Sequence, residues 1–385
     1  MRIAIPKERR AGETRVAVTP DSIKKYIALG AEVVVEAGAG AGAAIPDDAM
    51  TQAGATMAPD LEACLRDADI VLKVQRPLKA GEGEVDELAL IPKGALLVGN
   101  LQPFGDREAA EAYARAGLTA FAMELMPRIS RAQSLDTLSS QSNLAGYKAV
   151  VDAAAMLPRA FPLMMTAAGT VPPARVLVLG AGVAGLQAIA TAKRLGAVVS
   201  AFDVRPAVKE QVQSLGGKFI EVPVEEGEEG ETAGGYASEM SEDYKRRQGE
   251  LVAETVKSQD VVISTALIPG KPAPRLVSAA MVESMKPGAI IMDLAAETGG
   301  NCELTRPGEI IEAHGVTIVG HLNVPARIPA DASSLFARNL ANFVTLMVKP
   351  EEDQPVIDWE DDVFKGTALT RDDKVVHPIL IGGES

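Results

Sequence analysis

The stretch RVLVLGAGVAGLQAIATAKRLGAVVSAFD, residues 175–203, carries the strongest fold signal in this chain. Its apolar run Val176–Leu179 predicts a buried strand, and the glycines that follow fit the pattern G-x-G-x-x-G. A helical pattern then covers Leu186–Leu195, and a second apolar run, Ala197–Phe202, ends at Asp203. Strand, glycine turn, helix and acidic strand end in this order predict a βαβ unit that binds a dinucleotide. A purely structural turn is the alternative, and the complete context disfavours it.

The three glycines of this turn have different physical tasks. Gly180 permits the tight turn, Gly182 lets the backbone approach a pyrophosphate, and Gly185 allows the helix to pack closely on the strand. Free N–H groups at the start of a helix point at bound phosphate. We therefore expect Val183 and Ala184 to contact the nucleotide as well.

An acidic residue at the end of the second strand indicates which dinucleotide binds. Asp203 follows Gly180 by 23 residues, a spacing at which a carboxylate accepts hydrogen bonds from ribose hydroxyls. Its negative charge repels the 2′-phosphate of NADP(H), so the sequence predicts an NAD(H) site that also includes Val204. Arg205 lies beside this site and weakens the preference slightly.

A second glycine run, GAGAGA at residues 38–43, also follows a strand pattern. Pro46 interrupts any helix directly after it, and no acidic strand end follows at the required spacing. We interpret this run as a structural turn, so the chain is predicted to have one dinucleotide site.

Length and periodicity predict two domains. A chain of 385 residues is long enough for two, and strand and helix patterns alternate both before and after residue 139. We predict an α/β protein with two Rossmann-like, doubly wound parallel-sheet domains separated by an interdomain cleft. The first domain is discontinuous, over 1–138 and 328–385, and the second, NAD(H)-binding domain covers 139–327. A helix pattern at Ala332–Met347 would return the chain to the first domain.

Composition excludes several classes of protein. The formal net charge is −14, which disfavours nucleic acid as a partner. Cys64 and Cys302 stand far apart, outside any metal-ligand spacing, and we expect two free thiols of a reducing compartment and no metal. No run of about 20 apolar residues and no signal peptide pattern occurs, so we expect a soluble cytoplasmic chain without direct membrane insertion.

The segment 223–249 is acidic, glycine-bearing and too poor in apolar residues to form a core. One interpretation is a solvated surface insertion. The other is a mobile loop that closes on a ligand, with Gly235 and Tyr236 as its contact residues.

A polar segment, MPRISRAQSLDTLSSQS at residues 126–142, joins the two predicted domains. An interdomain cleft is a usual place for a nicotinamide ring, and these side chains can pair with one another and bond a carboxamide or a ribose. The alternative is a capped helix start with a solvated linker. The candidate contact residues are Arg128, Gln133, Leu135, Asp136 and Ser139.

A dehydrogenase acting on an alcohol or amine needs a placed acid or base, often His or Lys. The chain has three histidines, and His314 and His377 have the surroundings of a turn and of the C-terminal tail. His321 follows a strand pattern, but we do not assign it a catalytic role.

Five segments together resemble the NAD(H)-binding domain of proton-translocating transhydrogenases, a family related to the alanine dehydrogenases. The likeness extends over nearly the whole chain. The segments are Ile5–Pro20, Met123–Tyr147, Met164–Ala197, Thr232–Ala237 and Thr265–Pro274.

This resemblance implies a function and a set of contacts. Arg128, Gln133, Asp136 and Ser139 would contact the nicotinamide, and Tyr236 would fold over the bound nucleotide. The segment TALIPGKPAP would place Ala266 and Leu267 at the nucleotide. These residues would serve a direct hydride transfer from NADH to NADP⁺.

The resemblance also implies partners. The chain would form a homodimer and would dock on membrane-embedded transhydrogenase subunits, which include the NADP(H)-binding domain. NADP(H) would be bound by that partner and not by this chain. The chain would thus be peripheral, on the inner face of the cytoplasmic membrane, and proton translocation would occur in the partner subunits.

An amino-acid dehydrogenase similar to alanine dehydrogenase is the second hypothesis. Arg15 and Lys73 match the substrate-carboxylate ligands of that family, but Gln102 stands where its catalytic histidine would be, and Glu297 where its catalytic aspartate would be. Glutamine cannot shuttle a proton, which favours hydride exchange between two nicotinamides. A module that binds NAD(H) without transferring hydride is the third hypothesis, and the polar segment around Arg128 argues against it.

Overall fold

Runs of Val, Ile and Leu form the central strands, since a strand covered by helices on both faces has no polar side. The computed structural model describes residues 1–222 and 241–382. The described residues divide into a first unit, 1–141 with 326–385, and a second unit, 142–325.

The first unit contains a parallel sheet of six strands in the order β3-β2-β1-β4-β5-β6. Its strands are Arg2–Ile5 (β1), Glu32–Glu36 (β2), Thr56–Ala58 (β3), Ile70–Gln75 (β4), Leu96–Asn100 (β5) and Thr119–Ala122 (β6). Its helices up to this point are Pro20–Ala28 (α1), Asp47–Gln52 (α2), Leu61–Leu65 (α3), Glu87–Leu90 (α4) and Arg107–Arg115 (α5). The carboxylates of Asp60, Asp86 and Asp106 cap α3, α4 and α5 by accepting backbone N–H groups.

The chain leaves this sheet through a short 3₁₀ helix, Ser130–Leu135, and the long helix Thr137–Met156 (α6). The second unit opens with a hairpin, Met164–Thr166 (β7) and Gly169–Val171 (β8). Its sheet has seven strands in the order β11-β10-β9-β12-β13-β15-β14. These are Arg175–Leu179 (β9), Val198–Phe202 (β10), Lys218–Phe219 (β11), Val261–Ser264 (β12), Ile290–Asp293 (β13), Ile310–Ala313 (β14) and Val316–Val319 (β15). The helices are Val183–Arg194 (α7), Lys209–Ser214 (α8), Glu242–Val256 (α9) and Ala279–Glu283 (α10).

The chain then returns to the first unit. The elements there are Pro329–Thr345 (α11), Asp362–Thr367 (α12), Thr370–Arg371 (β16), Lys374–Val375 (β17) and Pro378–Ile381 (α13). Phe121 of β6 lies 5.4 Å, ring centre to ring centre, from Phe343 and 5.8 Å from Phe364. The N–H of Leu369 donates to the carbonyl of Ala120 (2.8 Å), so aromatic packing and a backbone bond hold the C-terminal segment on the edge strand.

The α/β class predicted from sequence is confirmed, with one correction to the prediction of wholly parallel sheets. Strand β14 pairs antiparallel with β15 at the edge of the second sheet. His314 and Gly315 join the two strands, both with positive φ (53° and 75°), and such a two-residue turn can connect only antiparallel neighbours.

The acidic segment is the second correction, because the predicted loop 223–249 is too long. Ser241 caps α9 by accepting the N–H of Tyr244 (3.1 Å), so residues 242–249 are helical. The Arg246 side chain pairs with Asp243 and Glu250 at helical spacing, which offsets the low apolar content. Gly235 and Tyr236 lie outside the described residues.

The glycine run at 38–43 is followed by helix only from Asp47. A Cβ at Gly40 would lie 2.4 Å from the Ile45 carbonyl oxygen, and one at Gly42 would lie 2.6 Å from that of Thr14. Backbone packing therefore requires these glycines. Across residues 1–222 and 241–382, no helix combines the length and apolar character needed to cross a membrane.

Candidate nucleotide-binding site

The glycine turn lies at the point where the strand order of the second sheet reverses. Strand β9 has β10 on one side and β12 on the other, so the chain continues in opposite directions from this strand. In open parallel sheets, ligands bind at the carboxyl ends of the strands at such a switch point. The turn that follows Leu179 is therefore the first candidate site.

Gly180 and Gly185 are required by the protein's own packing. Gly180 has φ +94°, and a Cβ there would lie 2.7 Å from the Thr265 hydroxyl oxygen. A Cβ at Gly185 would lie 1.9 Å from the carbonyl oxygen of Gly180. Hence any larger residue at Gly185 would push α7 away from β9.

Gly182 differs from the other two glycines. Its φ is −73°, which any L-residue can adopt, and a Cβ would come only within 3.8 Å of the Arg205 guanidinium. Among the described residues, no side chain caps α7 at Gly182. The N–H groups of Val183 and Ala184 therefore begin α7 without a side-chain cap, the arrangement that accepts a pyrophosphate.

Helix α6 packs tightly against this helix start. A Cβ at Gly146 would lie 2.0 Å from the carbonyl oxygen of Ala184. Only a glycine lets the two helices approach this closely, and the contact fixes the first turn of α7.

Asp203 is buried (8% exposed) at the end of β10 and is bonded to the glycine turn. Its carboxylate accepts the N–H of Ala181 (2.7 Å) and three hydrogen bonds from Arg205 at 2.9 Å, from the backbone N–H, Nε and Nη2. Sequence reasoning expected Arg205 only as a neighbour, whereas the structure makes it the ion-pair partner of the aspartate. Val204 packs partly buried against the core between them.

Two polar residues that the sequence analysis missed support the site from behind. The side chain of Asn301, fully buried, accepts the N–H of Ala266 (3.0 Å) and donates to the carbonyls of Ala266 (2.9 Å) and Pro274 (2.8 Å). The Thr265 hydroxyl donates to the carbonyl of Gly180 (2.9 Å). These bonds hold Ala266 beside the glycine turn, while the Leu267 side chain remains 48% exposed.

Asp293, at the end of β13, organises the loops behind the site. Its buried carboxylate accepts hydrogen bonds from the hydroxyls of Ser264 (3.1 Å) and Thr305 (2.6 Å) and from the N–H groups of Ala295 and Cys302 (3.0 Å each). The acidic end of the strand IIMD was the available sequence signal.

The polar segment predicted at the nicotinamide lies in the first unit up to Gln141. Asp136 caps α6, since its carboxylate accepts the N–H (2.9 Å) and the hydroxyl (2.5 Å) of Ser139. Arg128 and Gln133 are exposed. Leu135 is buried in the hydrophobic core, so its side chain is a packing group.

The predicted site residues thus form two groups. The second unit brings together the glycine turn, Asp203, Arg205 and the Ala266–Leu267 pair. The first unit holds the polar segment with Asp136 and Ser139 paired.

Arg15 and Lys73, the matches to substrate-carboxylate ligands, are already paired with carboxylates of the chain. The buried Arg15 donates to Glu13 (2.9 and 2.7 Å) and to the Gln141 side-chain oxygen (2.8 Å). Lys73, 1% exposed, donates to Glu87 (2.9 and 3.1 Å) and lies 3.3 Å from Glu8. Binding a substrate carboxylate at either cation would require breaking one of these buried pairs.

Gln102 lies at a strained turn beside a perturbed carboxyl group. Its φ is +54°, and its N–H donates to the Glu124 carboxylate (2.6 Å), which also accepts the N–H of Leu101 (3.0 Å). Desolvation raises the pKa of Glu124 to about 7, although the two backbone bonds oppose the shift. Two of the histidines have structural tasks, His314 in the β14–β15 turn and His377 as the cap of α13.

A glycine turn at the switch point of a parallel sheet, with an aspartate at the next strand end, defines a dinucleotide-dependent oxidoreductase. Residues 4–145 match the family model described as "Alanine dehydrogenase/PNT, N-terminal domain", and residues 149–378 match "Alanine dehydrogenase/PNT, C-terminal domain". The chain belongs to the alanine dehydrogenase/PNT family.

Within this family, the similarity is greater to transhydrogenases than to alanine dehydrogenases, as the sequence resemblance predicted. The chain is 60% identical over 382 residues to a "NAD(P) transhydrogenase subunit alpha" chain of Rhodospirillum rubrum, with 99% of both chains covered. It is 32% identical over 336 residues to an alanine dehydrogenase of Mycobacterium tuberculosis, which covers 86% of this chain and 82% of the other. A transhydrogenase structure from Sinorhizobium meliloti matches with a TM-score of 0.84 at 50% identity, covering 98% of this chain and 100% of that one.

Proposed function

We propose that this chain is the NAD(H)-binding subunit of a proton-translocating transhydrogenase. It passes hydride directly between NADH and NADP⁺ held on a partner subunit. The observation that carries the proposal is the state of the first unit's polar groups, where a glutamine occupies the acid–base position and Arg15 and Lys73 are already paired with carboxylates. A reaction between two nicotinamide rings moves no substrate proton, so it needs neither an acid–base histidine nor a carboxylate pocket.

The second unit supplies binding and selectivity. The uncapped start of α7 beside Gly182 suits the pyrophosphate. Asp203 is the ribose acceptor, and its four hydrogen bonds fill its acceptor sites, so the ribose hydroxyls must replace donors of Arg205. The carboxylate then favours NAD(H) over NADP(H) by repelling a 2′-phosphate.

The first unit supplies positioning at the reacting ring. Bound NADH contributes a hydride, and Arg128, Gln133, Asp136 and Ser139 orient its carboxamide and ribose. The Asp136–Ser139 pair keeps these two side chains in one arrangement before the nucleotide arrives. The protein therefore contributes orientation and a desolvated setting, and the chemistry belongs to the two nucleotides.

Partner subunits complete this proposal. NADP(H) is bound by a separate subunit whose membrane-embedded neighbours translocate protons, and this chain is peripheral on the inner face of the cytoplasmic membrane. A homodimer is proposed as well, because the β7–β8 hairpin exposes Leu163 (57%), Met164 (41%) and Met165 (83%), and a two-stranded hairpin is marginal alone in water. A Met165→Lys variant is expected to dissociate in sedimentation experiments, whereas Ile310→Lys, at an exposed position on β14, should not.

The test is a mixing experiment. The purified chain with NADH is combined with the NADP(H)-binding domain of a membrane partner loaded with NADP⁺, and single-turnover hydride transfer is followed optically. A fast burst that requires both proteins supports the proposal. Bound NADH without transfer, followed by turnover with pyruvate and ammonia, would replace it with the amino-acid dehydrogenase.

A further inference from the structure

Helix α11 buries a polar side chain at a position where its neighbours are apolar. Phe336, Leu340 and Phe343 on this helix are fully buried, and Asn339 among them is 7% exposed. A buried amide destabilises the fold unless its donor and acceptor are both bonded. The two ends of the Asn339 amide must therefore have partners.

Both partners belong to the polar segment proposed to contact the nicotinamide. Nδ2 of Asn339 donates to the carbonyl of Ser134 (2.8 Å), and the Ser140 hydroxyl donates to its Oδ1 (2.8 Å). A carbonyl accepts but cannot donate, so only one orientation of the amide satisfies Ser134. One side chain thus connects two points of the segment that lie on either side of Asp136.

A second asparagine supports the first from the next turn of the helix. Nδ2 of Asn342 also donates to the Ser134 carbonyl (3.1 Å), and Lys25 of α1 orients this amide by donating to its Oδ1 (2.8 Å). The Ser134 carbonyl therefore receives two donors from α11. Because Ser134 directly follows Gln133 in the chain, the two bonds restrict the backbone that carries the Gln133 side chain.

The rest of the segment has separate anchors. Leu135 is buried in the core, and the Thr137 hydroxyl donates to the side-chain oxygen of Asn100 (3.2 Å). Arg131 forms two bonds with Asp361 (2.8 and 2.5 Å) but is half exposed, so this pair contributes little. The buried Asn339 is the anchor that reaches both ends of the Leu135–Ser139 stretch.

We propose that Asn339 is a positioning residue for hydride transfer, setting the backbone geometry that places Gln133, Asp136 and Ser139 at the nicotinamide. The inference rests on the proposed function and adds to it a residue far away in sequence, since the two bonds span 205 and 199 residues. Misplacing a contact by about 1 Å can slow a reaction on the order of 100-fold without removing the substrate.

The principal variant is Asn339→Asp in the full chain. The new carboxylate keeps the acceptor for Ser140 but turns a negative oxygen toward the Ser134 carbonyl, in place of a donor. Single-turnover hydride transfer at saturating NADH should fall roughly 10- to 100-fold, with the NADH dissociation constant changed less than about 3-fold. Lowering the pH protonates the introduced carboxyl and restores a donor, so the ratio of variant to wild-type rate should rise as the pH falls.

Two further variants separate positioning from folding. Ser140→Ala removes one of the two bonds without placing a charge in the core, and should slow transfer by a few-fold at unchanged NADH affinity. Arg338→Asp places a carboxylate on the exposed side of the same helix and should leave the rate and its pH profile as in the wild type.

The outcomes distinguish this inference from the proposed function. If the wild type itself transfers no hydride, the proposed function fails. If the wild type is active and both Asn339→Asp and Ser140→Ala transfer at its rate across the pH range, the inference is overturned. It is equally overturned if the loss disappears at saturating NADH, because Asn339 would then act only on affinity. If Asn339→Asp does not fold, the result for Ser140→Ala decides.

Discussion

Gly182 and Gly185 stand three residues apart in one turn, and the structure predicts opposite consequences for replacing each with alanine. At Gly185 a methyl group would lie 1.9 Å from the Gly180 carbonyl oxygen, a backbone atom that cannot rotate away. At Gly182 the same methyl group would come only within 3.8 Å of the Arg205 guanidinium. Gly185→Ala therefore tests packing, and Gly182→Ala tests ligand approach.

The magnitudes follow from these distances. Gly185→Ala gains about 1 kcal/mol in helix propensity, but separating α7 from β9 costs about 3 kcal/mol or more, so unfolding should become easier by roughly 2 kcal/mol. Gly182→Ala loses up to about 1 kcal/mol at the helix N-cap and recovers a similar amount from the less flexible unfolded chain. Its stability should remain within about 0.5 kcal/mol of the wild type.

Binding should show the reverse order of effects. A methyl group at Gly182 would occupy the space through which the backbone approaches the pyrophosphate. We expect NADH affinity to fall about 10- to 100-fold, equivalent to about 1.4 to 2.8 kcal/mol. Urea denaturation followed by circular dichroism gives the stability of each variant, and NADH fluorescence titration gives the dissociation constant.

Two results would refute this reasoning. Wild-type affinity in a stable Gly182→Ala variant would show that no nucleotide approaches the turn there. A Gly185→Ala variant as stable as the wild type would show that α7 can move away from β9 at little cost.

Three further predictions concern charge and positioning. Asp203→Ala should weaken NADH binding and reduce the discrimination against NADPH in parallel titrations, and unchanged selectivity would remove Asp203 from the ribose site. Gln133→Leu should slow single-turnover hydride transfer far more than it weakens NADH binding, and a collapse of binding would assign Gln133 to affinity. The raised pKa of Glu124, about 7 against an ordinary 4.5, means that its neutral form favours the fold, so this contribution is full below pH 4.5 and is lost as the pH rises through 7. Relative to Glu124→Gln, the wild type should therefore lose about 2 kcal/mol of unfolding free energy between about pH 5 and 8, and parallel curves in urea titrations would contradict the desolvation of this carboxyl.

The candidate site could be predicted from sequence where its signals are local. The turn from Gly180 to Gly185, its flanking strand and helix, and Asp203 all lie within residues 175–203, and their spacing reports the βαβ geometry directly. The polar segment around Gln133 could be recognised as unusual from composition, but its contacts could not. Asn301 and Asn339 gave no local signal, because each bonds to groups far away in the chain.

The errors also have physical reasons. The helix that begins at Glu242 was hidden in a polar stretch, since its stability comes from a serine cap, charge pairs at helical spacing and the burial of Tyr244. Strand β14 was overlooked because its residues are only partly buried at an edge, where the apolar pattern is weak.

The sequence by itself determined the α/β class, the dinucleotide turn and the preference for NAD(H), because each depends on residues a few positions apart along the chain. Only the tertiary structure decided which partners complete the polar groups. Asp203 pairs with Arg205 and the turn, Arg15 and Lys73 are neutralised by carboxylates, and Asn339 joins both ends of the polar segment. A buried polar group must be satisfied in three dimensions, and the chain can supply its partner from any distance in sequence.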